Sequence, residues 1–245
     1  VDAAIGVAGS LSVRRGGGIT AVPPEAGPGA RITLSGDTVD FGGRAVLPSG
    51  DLRLTAQSGD LQLSADADID LAGEVARFGP ARVGIPGGRL ALAATGGDVT
   101  LAPGISVDVS GPASDFPAGS ISVEAIDGEL RVGGDLALAA RGTGGDFLAD
   151  VRSIRRTAGA GGNALDALNV DLQAGGFAGT RRFRVRDGDI VTGVEPAAAG
   201  AYSARDLAFV ADSGSIRVAG TLDASGPDGG SILLAAADTL TVAGT

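Results

Sequence analysis

Apolar and polar residues alternate in short runs along most of the chain, and one spacing of apolar residues recurs. Two apolar residues, an alanine and a glycine stand at the same relative positions in four copies: Leu52/Leu54/Ala56/Gly59, Leu90/Leu92/Ala94/Gly97, Ile121/Val123/Ala125/Gly128 and Leu207/Phe209/Ala211/Gly214. A fifth copy begins at Ile232, has Thr239 in place of the glycine, and its next strand starts one residue early. Such internal repetition is typical of a repeat architecture.

Two further alternating pairs follow each of the four copies. The second pairs are Leu61/Leu63, Val99/Leu101, Leu130/Val132 and Ile216/Val218, and the third are Ile69/Leu71, Val107/Val109, Leu136/Leu138 and Leu222/Ala224. Alternation with a period of two predicts short strands. Three strands and three turns in about 24 residues describe one coil of a parallel β-helix, and the loop 112–118 stretches one coil to about 31 residues.

The same pattern predicts which side chains lie inside. Alternate Leu, Ile, Val and Ala side chains would fill a narrow lumen, and the Arg, Asp, Ser and Thr residues between them would face solvent. Successive coils would pair about 4.8 Å apart, so that no coil is stable alone. We expect the repeated alanine at a corner of the lumen, and we expect the repeated glycine to supply a turn conformation that a Cβ would oppose.

These observations predict one all-β domain over residues 1–245, a right-handed parallel β-helix (β-solenoid) with one extra-helical excursion. Residues 1–50 form looser coils, residues 51–146 and 206–245 regular ones, and residues 77–88 a long return loop or a fourth side strand. Residues 147–205 break the pattern. They are either an excursion, which we favour, or two degenerate coils, and the apolar spacing in 147–156 predicts a short helical turn.

Composition narrows the possible chemistry. The chain has no Cys, Met, Trp or His, all 19 of its basic residues are Arg, and its formal net charge is -10. Catalysis by His, Cys or Lys side chains is therefore excluded, and we expect no enzyme, no cofactor, no metal site and no nucleic-acid partner. No apolar run is long enough to span a membrane. The first residues show no signal-peptide pattern, so we expect an internal or processed segment.

Two acidic clusters have a structural and a chemical interpretation. Asp66, Asp68 and Asp70 begin like a Ca²⁺-binding loop, but the glycine and glutamate that such a loop needs are missing. We expect an exposed strand face there, with a weak Ca²⁺ site as the alternative. Asp187 and Asp189 flank a glycine between two strands, which predicts a turn, with a hydrolytic carboxylate pair as the alternative.

One repeated turn sequence resembles a known family. Asp108-Val109-Ser110-Gly111, followed by Gly119-Ser120-Ile121, matches Asp223-Ala224-Ser225-Gly226, followed by Gly229-Gly230-Ser231-Ile232. This order resembles the filamentous-haemagglutinin-like exoproteins of two-partner secretion systems. The resemblance covers residues 88–145 and 206–245 well, residues 51–74 fairly, and 147–205 hardly at all.

The resemblance implies a structural shaft segment of a secreted bacterial surface adhesin. It also implies export of the parent protein through an outer-membrane transporter and attachment to host cells or matrix. It carries over no catalytic residue. The alternatives are an extracellular polysaccharide-active β-helix enzyme and a non-catalytic glycan-binding module.

The candidate ligand site is a cluster of arginines in the irregular stretch. Seven of the 19 lie between residues 152 and 186: Arg152, Arg155, Arg156, Arg181, Arg182, Arg184 and Arg186. Irregular segments on a rigid scaffold are where binding residues concentrate. We expect either a basic patch for an acidic glycan or, as the favoured alternative, arginines that pair with the acidic outer face of the rod.

Overall fold

The chain folds into a stack of parallel strands. The computed structural model describes residues 2–16, 28–159, 161–194, 201–226 and 229–244. In this part of the chain nine strands lie side by side as the first face of the stack: β1 (Asp2–Gly6), β3 (Arg31–Gly36), β6 (Asp51–Ala56), β11 (Arg89–Ala94), β14 (Ser120–Val132), β16 (Asp146–Arg156), β17 (Thr180–Val185), β20 (Asp206–Ala211) and β23 (Ser231–Ala236). All neighbouring pairs are parallel, so the fold is a parallel β-solenoid with one helix.

Two further faces complete each coil. The second consists of β2 (Ser10–Arg14), β4 (Thr38–Gly42), β7 (Leu61–Leu63), β12 (Val99–Leu101), the ends of β14 and β16, β18 (Ile190–Thr192), β21 (Ile216–Val218) and β24 (Leu240–Val242). The third consists of β5 (Arg44–Val46), β8 (Asp68–Asp70), β13 (Ser106–Asp108), β15 (Ala137–Ala139), the helix α1 (Ala164–Gly175), β19 (Tyr202–Ser203) and β22 (Leu222–Asp223). An antiparallel hairpin, β9 (Val75–Phe78) and β10 (Ala81–Gly84), leaves the stack.

The sequence repeat coincides with the register of the stack. Leu90 of β11 lies between Leu52 of β6 and Ile121 of β14, and Leu207 pairs with Ile232. Equivalent positions of the first pairs, and of the second pairs at Leu61, Val99 and Leu130, therefore lie directly above one another, including across the longer coil from Leu90 to Ile121. The predicted alignment of the third pairs is wrong in the next coil, because Val107 pairs with Leu138 and not with Leu136.

The lumen is filled by the alternate apolar side chains that the pattern predicts. Leu54, Leu61 and Leu63 are 0% exposed, whereas Arg53 and Gln62 between them face solvent. The alanines of the repeat are also buried: Ala56, Ala94, Ala125 and Ala211. The inward and outward assignments are thus confirmed for the repeat strands up to Val218, whereas Ile232, Leu240 and Val242 of the last coil are exposed at the end of the stack. One narrow, mostly aliphatic core runs along the stack.

The role expected for the repeated glycine is wrong at three of its four positions. Among Gly59, Gly97, Gly128 and Gly214, only Gly214 has a positive φ, 146°. A Cβ on Gly97 would collide with the backbone of Gly59, and a Cβ on Gly128 with the carbonyl of Gly97. These glycines are required because successive coils approach too closely at this corner for any side chain.

The Asp-x-Ser sequence of the family resemblance forms a corner between coils. Asp108 Oδ1 accepts a hydrogen bond from the Ser110 N–H at 2.8 Å, and Asp223 Oδ1 accepts one from the Ser225 N–H at 2.8 Å. The hydrogen bonds from Ser225 lower the pKa of the Asp223 carboxyl. The motif is therefore explained by turn geometry, in which an aspartate accepts from the amide two residues on.

The looser N-terminal coils contain the short strands that alternation predicts. Strands β1 to β4 stack in parallel pairs, although β1 lies at the end of the stack and Ile5 is 54% exposed. Residues 77–88 are neither a simple return loop nor a strand of the stack. Most of them belong to the β9–β10 hairpin, where the Phe116 ring lies directly against Gly84, so closely that a Cβ could not be accommodated.

Two expectations for residues 147–205 are wrong. Residues 147–156 form no helical turn, because they belong to β16, where Phe147 pairs with Ile121 and Val151 with Ala125. Nor are the strands of this stretch an excursion, because β17 pairs with β16 on one side and with β20 on the other. The coil pattern continues, and the departure from it is the unpredicted helix α1, which lies between β15 and β19 on the third face.

Local residues explain where α1 begins and ends. Asn163 is its N-cap, and its side-chain Oδ1 accepts a hydrogen bond from the Asp166 N–H at 2.9 Å. Gly176 ends the helix in the left-handed conformation, with φ 82°. Leu165, Leu168 and Leu172 are buried toward the lumen. No helix in the described ranges is both long and apolar enough to span a membrane.

Adjacent residues on β21 test the inward and outward assignment. Ile216 is 0% exposed and Arg217 faces solvent. We expect Ile216→Asp to lower the free energy of unfolding by about 4 kcal/mol, because an unpaired carboxylate enters the apolar lumen. Arg217→Asp should change it by less than about 0.5 kcal/mol. Urea denaturation followed by far-UV circular dichroism measures both, and equal effects would contradict the assignment.

Candidate functional site

The seven arginines of the candidate site lie on two neighbouring strands. Three belong to β16 (Arg152, Arg155 and Arg156), three to β17 (Arg181, Arg182 and Arg184), and Arg186 directly follows β17. Because β16 and β17 are paired, the fold does bring these residues into one region. Their surroundings nevertheless differ, and they do not form a single basic patch.

Arg184 and Arg186 pair with carboxylates of the outer face. Arg186 forms a two-pronged contact with Asp150, Nε to Oδ1 at 2.7 Å and Nη2 to Oδ2 at 2.8 Å. The hydrogen bond to Asp150 raises the pKa of Arg186. Arg184 Nη2 lies 2.9 Å from Asp212 Oδ2. Both guanidinium groups thus link one coil to another, which favours the docking alternative for these two residues.

The arginines at the end of β16 contact the coil formed by β14. Arg155 Nε donates to Glu129 Oε1 at 2.7 Å, and Arg156 Nη1 donates to the carbonyl oxygen of Gly133 at 2.7 Å. The side chains of Arg152 and Arg182 are exposed, and their guanidinium groups form no hydrogen bond or ion pair with the described residues. Two of the seven arginines, Arg152 and Arg182, are therefore available to an acidic partner, and we call them the available arginines.

Arg181 is not a surface residue, and its assignment to a ligand patch is wrong. It is 1% exposed and occupies an inward position, in register with Phe147 and Leu207. Its Nε donates to the carbonyl oxygen of Phe177 at 2.7 Å, and its Nη1 donates to Asn169 Oδ1 at 2.8 Å. Burial lowers the pKa of Arg181 to about 10.

A second buried polar group ties α1 to the following coil. Asp166 is 0% exposed and accepts a hydrogen bond from the Tyr202 hydroxyl at 2.6 Å. It also accepts from the amides of Gly193, at 2.7 Å, and Val194, at 2.9 Å. Burial, and then the hydrogen bond to Asp166, raises the pKa of Tyr202. The helix is therefore held from both sides, through Asn169 to β17 and through Asp166 to the chain around β18 and β19.

Aromatic side chains fill the lumen beside the helix. The ring centroids of Phe183 and Phe209 are 5.5 Å apart, and those of Tyr202 and Phe209 are 5.6 Å apart. Phe147 contacts both Phe177 and Phe183. Elsewhere the buried residues are almost all aliphatic. The large rings lie where a helix has replaced a strand, so that the lumen there needs more side-chain volume.

The second face is interrupted beside α1. The end of β16 pairs with β14, whereas β18 pairs with β21 and belongs to a separate sheet. A cleft of about 260 Å³ lies in this interruption, lined on one side by residues 153–155, on the other by residues 187–191, and by the first residues of α1. Sequence reasoning missed both the buried polar group and the cleft, although an arginine at an inward position of β17 was a visible signal.

The acidic clusters have structural roles. Asp68 Oδ2 lies 3.0 Å from Arg44 Nε, and Ile69 beside it is buried, as an exposed strand face requires. Gly188 has φ 105°, and Asp189 Oδ1 accepts from the Ser215 N–H at 2.8 Å, so the predicted turn is confirmed. Within the described ranges, no three His, Cys, Asp or Glu side chains converge as a metal site would need.

The contact between Arg181 and Asn169 can be measured with a double-mutant cycle. We expect Arg181→Leu to destabilise the protein by about 3 kcal/mol, because Asn169 and the Phe177 carbonyl lose a buried charged donor. The double variant Arg181→Leu/Asn169→Leu should recover about 1 kcal/mol, since one orphaned polar group is removed with its partner. Urea denaturation provides the free energies, and strictly additive effects would contradict coupling.

Substitution of the two available arginines, Arg152 and Arg182, tests the hypothesis of a ligand-binding patch. If an acidic glycan binds here, we expect the Arg152→Ser/Arg182→Ser variant to elute from a heparin column at lower salt than the unmodified protein, because exposed charge contacts are screened by salt. Arg53→Ser/Arg89→Ser is the matched control, since these two arginines are also exposed on the outer surface. Equal shifts for both variants, or no retention of the unmodified protein, would contradict a specific patch.

Comparison with known proteins identifies no relative: no family model, no curated protein and no solved structure matches the chain.

Proposed function

We propose that the chain is a structural segment of the shaft of a secreted bacterial surface adhesin, wound as a right-handed β-helix. The observation that carries this proposal is the unbroken register of the first face, in which nine strands from β1 to β23 stack in parallel. At about 4.8 Å per strand, eight steps span about 38 Å, so the coils form a rod. Right-handed winding is expected because nearly all crossovers between parallel strands have this hand.

The outer face of the rod supports a structural role. Its charged groups connect coil to coil, as Arg186 does to Asp150 and Arg155 to Glu129. Backbone amides also donate to an acidic side chain of the previous coil: Asp60 accepts from the Asp98 N–H, and Asp98 accepts from the Glu129 N–H, both at 2.8 Å. These contacts lock the stacking of coils, as a structural role requires.

The proposal extends to the longer parent protein of which this chain would be a segment. It would be exported through an outer-membrane transporter and would hold binding elements away from the cell, with host cells, matrix or acidic glycans as its targets. Turn sequences at Asp108 and Asp223 support it through their resemblance to filamentous-haemagglutinin-like exoproteins. In the described chain these sequences form corners between strands, so they directly support the β-solenoid architecture. They support the role in a secreted adhesin only through the resemblance.

Removal of one whole coil tests the role of a spacer. Asp206 and Ser231 occupy equivalent positions on neighbouring strands, so deletion of residues 206–230 places Ser231 where Asp206 was. A shaft should tolerate this change. We expect a cooperative thermal transition and a rod shorter by about 4.8 Å in small-angle X-ray scattering. Deletion of 206–217 is the control, because it removes β20 and most of β21 and should disrupt folding.

Adhesion by the source bacterium tests the biological setting. We expect a strain without the parent gene to attach less to host cells or matrix, and a strain with the 206–230 deletion to display the protein and attach normally. Normal attachment without the gene would refute the adhesin proposal. Loss of attachment by a displayed, folded 206–230 deletion would show that this coil carries a binding site and is not a spacer.

A further inference from the structure

Among the described residues, no strand pairs with one edge of β16, where the second face is interrupted. Ile154 and Arg156 pair with Leu130 and Val132 of β14, and no strand of the described chain lies on their other side. The Thr157 N–H donates to the carbonyl of Val132. Because successive residues of a strand direct their backbone groups to opposite edges, the N–H and C=O of Ile154 and Arg156 are directed toward the cleft.

Strand β18 presents a matching edge across the cleft. The Ile190 N–H donates to the carbonyl of Ser215, and the Thr192 carbonyl accepts from the Ala219 N–H, so both residues pair toward β21. By the same alternation, Val191 directs its backbone groups toward the cleft. Two parallel strand edges therefore face each other across a polar opening.

Side chains beside the cleft support this assignment of the edges. Asn163 Nδ2 donates to the Val191 carbonyl at 3.2 Å, so a side-chain amide provides the donor that a neighbouring strand would otherwise provide. Thr192, beside it, is 0% exposed, and its Oγ1 has no hydrogen-bond partner in the described chain. A buried hydroxyl without a partner is uncommon in folded proteins.

The width of the helix explains the interruption. A helix is about 10 Å across with its side chains, whereas neighbouring strands lie about 4.8 Å apart. The adjacent coils are still hydrogen-bonded where the Asp187 N–H donates to the Arg152 carbonyl at 2.8 Å, and beyond that point the end of β16 and β18 are no longer paired. Insertion of α1 thus opens the second face there, and one additional strand would lie in this opening.

We infer that this cleft binds one extended peptide segment of a partner protein, which adds a strand between β16 and β18. Main-chain hydrogen bonds to Ile154, Arg156 and Val191 would provide affinity, as in other cases of strand addition. The residue between Ile154 and Ile190 would be a small aliphatic one directed inward, and the next, beside Arg155, would be acidic and directed outward. A hydroxyl residue would follow, at the level of Thr192. The inference does not depend on the shaft proposal.

A labelled peptide of this pattern is the probe. We expect fluorescein-labelled GGVESGG to bind saturably to the full chain in fluorescence anisotropy, and GGDESGG, with a charge at the inward position, to bind at least about tenfold more weakly, the equivalent of 1.4 kcal/mol. Hydrogen exchange then locates the site. The amides of Ile154, Arg156 and Val191 should exchange more slowly with GGVESGG bound, and those of β11 and β12 should not change.

A proline variant with a matched control tests the edge itself. Val191→Pro removes an N–H that faces the cleft and leaves the pairing of β18 with β21 in place, as proline at a strand edge allows. Leu240→Pro makes the same change at the outer edge of β24, whose pairing to β21 uses the Thr239 carbonyl. We expect Val191→Pro to weaken peptide binding at least about tenfold and Leu240→Pro to leave it unchanged.

Several outcomes would overturn the inference. They are no saturable binding, equal effects of the two proline variants, and protection confined to the edge strands at the ends of the stack. Protection of the cleft amides by a uronic-acid oligosaccharide but not by the peptide would overturn it as well, since it would identify a glycan site. If Val191→Pro does not fold, the exchange experiment on the unmodified chain still decides.

Discussion

The spacing between paired parallel strands determines how the coils stack and which residues fit at their corners. Each coil must lie about 4.8 Å from the next for the backbone hydrogen bonds to form, so every position of a coil is repeated in register by its neighbours. Leu52, Leu90 and Ile121 are stacked for this reason. The same spacing excludes side chains from the tightest corner, and Gly97 and Gly128 are there because the backbones of adjacent coils touch.

The helix α1 lies within a face of the stack, and the spacing between strands cannot accommodate it without rearrangement. The coils adapt on each face differently: β16 and β17 stay paired on the first, the helix replaces a strand on the third, and pairing is lost on the second. The wider lumen receives aromatic rings and the buried Arg181. Since burial of a charge is costly unless hydrogen bonds compensate for lost hydration, we expect Asn169 and the Phe177 carbonyl to be important for the stability of this coil.

Much of the regular stack could be predicted because alternation along a strand largely determines which of its side chains face the lumen. The apolar positions of residues 147–156 fit a helical turn as well as a strand, and only pairing with β14 distinguishes the two. The charge of Arg181 predicts a surface position, whereas the alternation of β17 places the residue inward. A glycine in the sequence does not reveal whether it is needed for a positive φ or for contact with a neighbouring coil. The cleft depends on the width of α1, a property of the assembled coils.

The distribution of aromatic residues has a consequence for spectroscopy. Tyr202 is the only tyrosine and the chain has no tryptophan. Its ring is buried beside Phe209 and its hydroxyl is bonded to Asp166. Tyrosine fluorescence and the tyrosine bands of near-ultraviolet dichroism therefore report on one coil near the helix. The N-terminal coils contribute nothing to these signals, so they could unfold first, and a tyrosine signal would register no change.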